Sequence, residues 1–314
     1  MVRHPGLTVV AGADGRDAAA GRVVLLAHPA GHSVSPAMQR AAFAATGLDA
    51  TYDAVDVPPS RLAAAVAALR HEPWWGANVT VPHKTAVVPW LDDLSPAARR
   101  LGAVNTIVRR GDRLFGDNTD LPGFARALDA LRLPLAGARA VVLGAGGAAR
   151  AVVVALADAG ARLALHNRGA ARARALATDL GLSGVDLLDD DALRAAVAAC
   201  DLLVQTTTVG MAGGPPGSPL PPAVLPAAGA VVDLVYRPPR TPLLVAASAA
   251  GLPVQNGLPM LVWQGALSFE AWTGVAAPVD AMGRAAEAAL GGPCCGWTGL
   301  FGPADAPTRP TRRR

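Results

Sequence analysis

Lysine is almost missing from this chain. It occurs once, at Lys84, against 27 arginines in 314 residues. Asparagine is confined to five positions (Asn78, Asn105, Asn118, Asn167 and Asn256), and tyrosine to Tyr52 and Tyr236. Three cysteines, two of them adjacent at Cys294 and Cys295, are too few for a disulfide framework or a cysteine metal cluster. No metal is therefore expected, and a reduced, cytoplasmic compartment is. Aromatic residues are only 4%. A nucleic-acid surface would need basic residues clustered among aromatics, so no nucleic-acid partner is expected. No uninterrupted apolar run reaches about 18 residues, so no membrane-spanning helix is expected. The first twenty residues lack the continuous apolar stretch of a secretory leader.

The charge is weakly positive, +4, and +3 of it comes from residues 303–314, where Arg309, Arg312, Arg313 and Arg314 face only Asp305. The basic balance thus reports an arginine tail and not a basic face. Both ends, 1–20 and 303–314, read as flexible. Between them the chain is rich in core-forming residues: 52% are hydrophobic and 17% charged, which excludes disorder for the body and leaves room for two domains.

Strand and helix patterns alternate along most of that body. The apolar run Val23–Leu26 reads as a strand, Pro36 to Thr46 as a helix, and Thr51–Val57 as a strand. Ser60 is placed to cap a helix running to Arg70. Trp75–Val81 reads as a strand, and Ala103–Arg109 with Arg113–Gly116 as a hairpin. A connecting helix follows from Asp120. A second α/β series then begins at Ala138–Leu143 and continues with strands at Arg162–His166, Asp201–Gln205 and Ala230–Val235. Its last strand is short, at Pro253-Val254. Helices at Met260–Thr273 and Val279–Leu290 close the chain. Alternation of this kind predicts an α/β fold with parallel or mixed sheets.

The loop after the strand at Ala138–Leu143 is Gly144-Ala145-Gly146-Gly147-Ala148-Ala149-Arg150. It fits a G-x-G-x-x-A turn between strand and helix. The first glycine permits the tight turn, the second lets backbone approach a pyrophosphate, and Ala149 lets helix and strand pack closely. The helix start then offers N–H groups to phosphate. One strand later an NAD site would usually carry an acidic residue for the ribose. Here the residues are Asn167, Arg168, Arg172 and Arg174. Guanidinium forks suit a 2′-phosphate, so NADP is the expected cofactor.

Rare polar residues collect in the first half, in His32-Ser33-Val34-Ser35-Pro36, in Asn78-Val79-Thr80-Val81-Pro82-His83-Lys84, in Ala103-Val104-Asn105-Thr106 and in Gly116-Asp117-Asn118-Thr119-Asp120. Each also has a plainer reading: Ser33 and Ser35 as helix caps, Asn118 and Asp120 as turn formers, Lys84 as a surface residue. Taken together with the glycine loop, with DLVYxPxxTPLL (from Asp233) and with GLxMLxxQ (ending at Gln264), they resemble the shikimate dehydrogenase family from about residue 23 to 290. Departures are few: Ala27 for a glycine, Gln39 for a histidine, Gly169 for a threonine, and Gln205-Thr206-Thr207 for NAT.

The resemblance implies two α/β domains. An N-terminal substrate domain would span 21–121 and be completed by 258–290, where the C-terminal helices return to it. A Rossmann-type NADP-binding domain would span 122–257. It implies NADPH-dependent reduction of 3-dehydroshikimate to shikimate, on the route through chorismate to aromatic amino acids. Lys84 and Asp120 would be the catalytic pair. Ser33, Ser35 and Tyr236 would bind the substrate carboxylate, and Thr80, Asn105, Asp120 and Gln264 the ring hydroxyls. Gly144, Ala145, Gly146, Gly147, Ala148, Asn167, Arg168 and Arg172 would hold the dinucleotide, with Leu234 and Gly257 lining the nicotinamide pocket. The implied partners are small molecules, and the assembly a monomer or homodimer. The rival readings are a quinate/shikimate or aminoshikimate dehydrogenase, and a non-catalytic NADP-binding sensor. The chemistry agrees with an enzyme, because an ammonium beside a ketone oxygen stabilises developing alkoxide charge and can supply the proton.

Overall fold

The computed structural model describes residues 21–31 and 33–291. The ends expected to be flexible, with His32, Cys294 and Cys295, lie outside the described residues.

The chain begins with β1 (Gly21–Ala27), α1 (Ser35–Thr46) and β2 (Ala50–Asp56). A 3-10 turn at Pro59–Arg61 leads into α2 (Leu62–Ala68) and then β3 (Trp74–Val79). Next come β4 (Asp93–Leu94), α3 (Pro96–Leu101), the hairpin β5 (Thr106–Arg110) and β6 (Arg113–Asp117), and α4 (Asp120–Asp129). The second half runs β7 (Arg139–Leu143), α5 (Gly147–Asp158), β8 (Arg162–His166), α6 (Ala170–Asp179), β9 (Asp186–Leu188), α7 (Asp190–Ala199), β10 (Leu202–Gln205), β11 (Ala230–Asp233), α8 (Pro242–Ala249) and β12 (Val254–Gln255). It ends on α9 (Leu258–Thr273) and α10 (Val279–Ala289).

Local chemistry sets most of these boundaries. Helix α1 carries a proline in its first turn and stops at Gly47, which takes the left-handed conformation. Ser95, Asp189 and Thr241 cap α3, α7 and α8 by accepting a backbone N–H three residues on. Ser60 does not cap as expected. Pro58 and Pro59 start a 3-10 turn instead, and α2 begins without a side-chain cap after Arg61.

Two six-stranded sheets result. The first has the order β2-β1-β3-β5-β6-β4 and is mixed: β1 is parallel to β2 and β3, while β5 is antiparallel to β3 and β6. The second, β12-β11-β10-β7-β8-β9, is parallel throughout. Its chain order reverses between β7 and β10, and the carboxyl ends at such a reversal form the crevice where α/β sheets take their ligands.

Each sheet has apolar clusters on both faces. Val23, Leu25, Met38, Phe43 and Tyr52 pack with Val262, Phe269 and Met282, so α9 and α10 close one face of the first sheet, as expected from the sequence. Val142, Val152, Leu156, Leu165 and Val204 form a core of the second sheet, joined by Phe124 of α4 and Met260 of α9. Helices α4 and α9 pack on each other and so connect the halves.

Candidate active site

The carboxyl ends of β1 and β3 lie side by side, with Leu26 opposite Val79. Thr80 donates its backbone N–H to Leu26, and His28 donates to Val81, so the loops leaving both strands stay together. One carries Ser33 and Ser35, where the Ser33 hydroxyl accepts the Ser35 N–H at 3.2 Å. The other carries Thr80 and Lys84. Val104 donates to the Lys84 carbonyl at 2.7 Å, which brings Asn105 beside it.

Lys84 Nζ donates to Asp120 Oδ2 at 2.6 Å, and both side chains are mostly buried, 15% and 5% exposed. Asp120 opens α4. Its placement follows from Asn118, whose side-chain oxygen accepts the N–H groups of Asp120 and Leu121 while its amide donates to Ala103. Asn118 is thus a turn former, the plainer of its two sequence readings. The second Asp120 oxygen accepts from Asn105 Nδ2 at 2.9 Å, and Gln264 Oε1 lies 3.2 Å from the same amide. Lys84, Asp120, Asn105 and Gln264 therefore form one bonded cluster drawn from four separate stretches.

Behind that cluster stands a buried polar network with members the sequence did not single out. Tyr52 donates to Asn78 at 2.8 Å, and Asn78 donates to the Asn105 carbonyl and to Ser268, each at 3.0 Å. Ser268 is also 2.7 Å from Thr106 and 3.1 Å from Thr119. Every one of these side chains is buried. A fully satisfied network of this kind fixes rotamers, here those of Asn105 and Asp120. The usable signal in the sequence was a serine in the middle of the apolar helix α9.

The residues expected to hold a dinucleotide lie around the reversal of the second sheet. Gly144 has φ +109, and a Cβ there would stand 2.6 Å from Thr206 Oγ1 on the neighbouring strand end. Ala145 packs on the core beneath, Gly146 precedes α5 with no side-chain cap, and Gly147 and Ala148 form its first turn. Asn167 and the exposed Arg168 follow β8, with exposed Arg172 one turn into α6. Arg174 lies apart from them, lining a surface dent with Gly181, Val185 and Leu187. Helix α6 also starts on a glycine, Gly169, without a side-chain cap. Uncapped N–H groups and guanidinium forks are the donors a phosphorylated dinucleotide requires. Gln205 folds its own loop by accepting the Thr207 N–H and donating to Val209. Arg150, the last residue of the motif, is committed elsewhere: it donates to the Leu101 carbonyl at 2.5 Å and pairs with Asp179 at 3.2 Å.

The two groups of residues meet. A Cβ on Gly147 would lie 3.6 Å from Lys84 Cδ, so the lysine stem runs against the first turn of α5. Gly257 closes on the β11 loop from the other side. A Cβ there would collide with the Leu234 carbonyl, and its N–H donates to Val235 at 3.2 Å. Tyr236, in the same loop, is half-buried and packs against the apolar core of the first sheet, to which Ala30 and Val34 also belong. Burial pushes its hydroxyl above the ordinary range.

Asp233, which begins that loop, is buried, and burial pushes its carboxyl up to about 6. The folded chain therefore holds this proton more tightly than the unfolded chain does, so the contribution to stability is largest below about pH 4. It falls between about pH 4 and 6, by roughly 3 kcal/mol for a two-unit shift, and is flat above. Asp92 and Asp201 slope the other way, because Arg70 and Arg139 hold them low and their contribution is lost on acidification. Asp233→Asn removes only the first effect. Urea unfolding of both proteins at pH 4 to 7 should show the variant gaining on the wild type as pH rises. A constant difference would refute this.

Family models match three stretches: the shikimate dehydrogenase substrate binding domain at residues 25–107, shikimate / quinate 5-dehydrogenase at 127–210, and the shikimate 5'-dehydrogenase C-terminal domain at 257–287. A shikimate dehydrogenase (NADP(+)) of Symbiobacterium thermophilum is 50% identical over 281 residues, covering 87% of this chain and 96% of that protein. One of Moorella thermoacetica is 48% identical over 289 residues, covering 89% and 98%. The crystal structure of shikimate 5-dehydrogenase from Thermus thermophilus, in complex with NADP(H) and shikimate, superposes with a TM-score of 0.79 at 45% identity, covering 86% of this chain and all of that one. The chain belongs to the shikimate dehydrogenase family.

Proposed function

We propose that this protein catalyses the reversible, NADPH-dependent reduction of 3-dehydroshikimate to shikimate. Its relatives at about half identity over nearly their whole length are NADP-dependent shikimate dehydrogenases. The observation that carries the reading to this chain is the contact of Lys84 with Asp120 on one side and with the first turn of the glycine loop on the other.

Bound NADPH supplies the hydride. Everything else falls to side chains of this chain. Lys84 Nζ stands where a ketone oxygen gathers negative charge, stabilises that charge and donates a proton to it. Asp120 and Asn105 fix the direction of the ammonium. Asn105, Gln264 and Thr80 pair with ring hydroxyls, and a site built this way rejects analogues that leave its polar groups unpaired. Ser33, Ser35 and Tyr236 hold the carboxylate. Arg168 and Arg172 bind the 2′-phosphate. The residues that follow β8 are Asn167 and Arg168 and not the acid an NAD site usually carries there, and the nearby Asp190 is paired with His166.

On this reading the substrate domain is 21–121 with 258–290, and the dinucleotide domain is 122–257. The partners are small molecules, the assembly is a monomer or homodimer, and the compartment is the cytoplasm. The test is shikimate oxidation followed at the nicotinamide absorbance with NADP and NAD side by side, and with quinate in parallel. Turnover on shikimate with a clear preference for NADP is expected. Equal or better turnover on quinate with NAD would replace the proposal by the quinate reading.

A further inference from the structure

The loop Leu234–Arg240 joins the two halves of the site, and a pair of buried side chains ties its two ends together. Thr241 Oγ1 donates to Asp233 Oδ2 at 2.6 Å, across the seven residues between them. The other Asp233 oxygen accepts the Val235 N–H at 3.0 Å. Thr241 also accepts the Leu244 N–H and so caps α8. Both residues are 1% exposed. The ends of the loop are thus fixed to each other and to the start of a helix. Its middle is held by contacts to other elements: Gly257 donates to the Val235 carbonyl, Ala212 to that of Arg237 and Asn256 to that of Pro239, while the Arg237 guanidinium donates to the Ala289 carbonyl. Tyr236 lies between these anchors and reaches out of the second sheet to the apolar core of the first, a core that also takes in Ala30 and Val34 from the stretch carrying Ser33.

We infer that Asp233 and Thr241 are a positioning pair which, by clamping the two ends of this loop, sets Tyr236 against the bound substrate carboxylate. The inference rests on the reading of Tyr236 given above. Neither residue touches substrate in it. They act through the loop; Leu234 at its start, assigned above to the nicotinamide pocket, is held separately by its N–H bond to the Gln205 carbonyl and by Gly257 packed against it.

The experiment measures shikimate and NADP dissociation constants by calorimetry, and kcat and KM by absorbance, for Thr241→Val, Thr241→Ser, Tyr236→Phe and the Thr241→Val/Tyr236→Phe double variant. Tyr236→Phe should weaken shikimate binding by roughly ten- to a hundredfold, as expected for one lost hydrogen bond to a charged group. Thr241→Val should weaken it by about tenfold, with NADP binding and kcat changed by less than about twofold. Serine, which keeps the hydroxyl, should restore binding. The double variant should be no worse than Tyr236→Phe, since the pair acts through that ring.

If Thr241→Val does not fold, Asp233→Asn serves instead, because an amide oxygen can satisfy only one of the two donors. Any of four results overturns the inference. Unchanged binding in Tyr236→Phe sinks the reading of Tyr236 itself. A weakened Tyr236→Phe beside an unchanged Thr241→Val sinks the positioning pair alone. Additive losses, or an equal loss of NADP binding, would reduce the pair to a structural cap.

Discussion

Lys84→Ala is expected to lower kcat by about 10²–10⁴, the usual worth of a positioned acid–base group, with shikimate binding changed far less. The ammonium is the one cation in the bonded cluster with Asp120, Asn105 and Gln264, and its stem is held by the first turn of α5. Removing it leaves Asp120, 4% exposed, still accepting from Asn105. The variant should therefore fold with a lowered melting temperature, and circular dichroism at the assay temperature confirms that folded protein is measured. Lys84→Arg separates charge from proton transfer. It retains a positive group, but a guanidinium hardly releases its proton, so kcat should stay low. Near-wild-type turnover in both variants would remove Lys84 from the reaction and leave the cluster a structural one.

Why Lys84 stood out and Ser268 did not is a matter of what a local pattern can carry. A composition that turns surface lysine into arginine leaves a single lysine, and the motifs around it are contiguous. Ser268 meets Asn78 across 190 residues, and Tyr52 meets it across 26, so nothing nearby in the chain announces either contact. The elements show the same division. Buried strands such as β1 and β10 are continuous apolar runs, as parallel strands covered on both faces must be. Short edge strands carry no such run. β4 has two residues and β9 three, and neither they nor the adjoining helices α3 and α7 were expected. The start of α7 was legible in principle: Asp189-Asp190-Asp191 resembles a solvated turn, yet Asp189 is an N-cap and the next two residues favour the positive end of the helix. Proline misled in the other direction at Ser60, where a cap residue follows Pro58-Pro59 and the backbone takes a 3-10 turn first. The arginine of GAGGAAR is the subtler case. The motif alone assigns it no task, and its guanidinium donates to Leu101 and pairs with Asp179, tying α5 to the end of α3 and to α6.

The glycine loop yields the second large effect, because two of its glycines are needed for different reasons. At Gly144 the protein itself demands glycine. Its φ of +109 is unfavourable for any side chain, and a Cβ would press on Thr206 Oγ1 at 2.6 Å and Thr207 Cγ2 at 2.9 Å. Strain and overpacking each cost about 1–3 kcal/mol, so Gly144→Ala should lose roughly 2–6 kcal/mol of stability and bind NADP more weakly by about tenfold or more. At Gly146 no such demand exists. Its φ is −95, and a Cβ would meet nothing within 4 Å among the described residues. Gly146→Ala should therefore unfold within about 1 kcal/mol of the wild type, the range of a changed N-cap residue. Its NADP affinity should nevertheless fall by at least about tenfold, because backbone must approach the pyrophosphate there. Urea midpoints and calorimetric NADP titrations read the two quantities separately. A Gly146→Ala protein with wild-type affinity would mean that the dinucleotide lies elsewhere than against the start of α5. Since Lys84 rests on that same turn, the placement of the proton donor opposite the nicotinamide would fail with it.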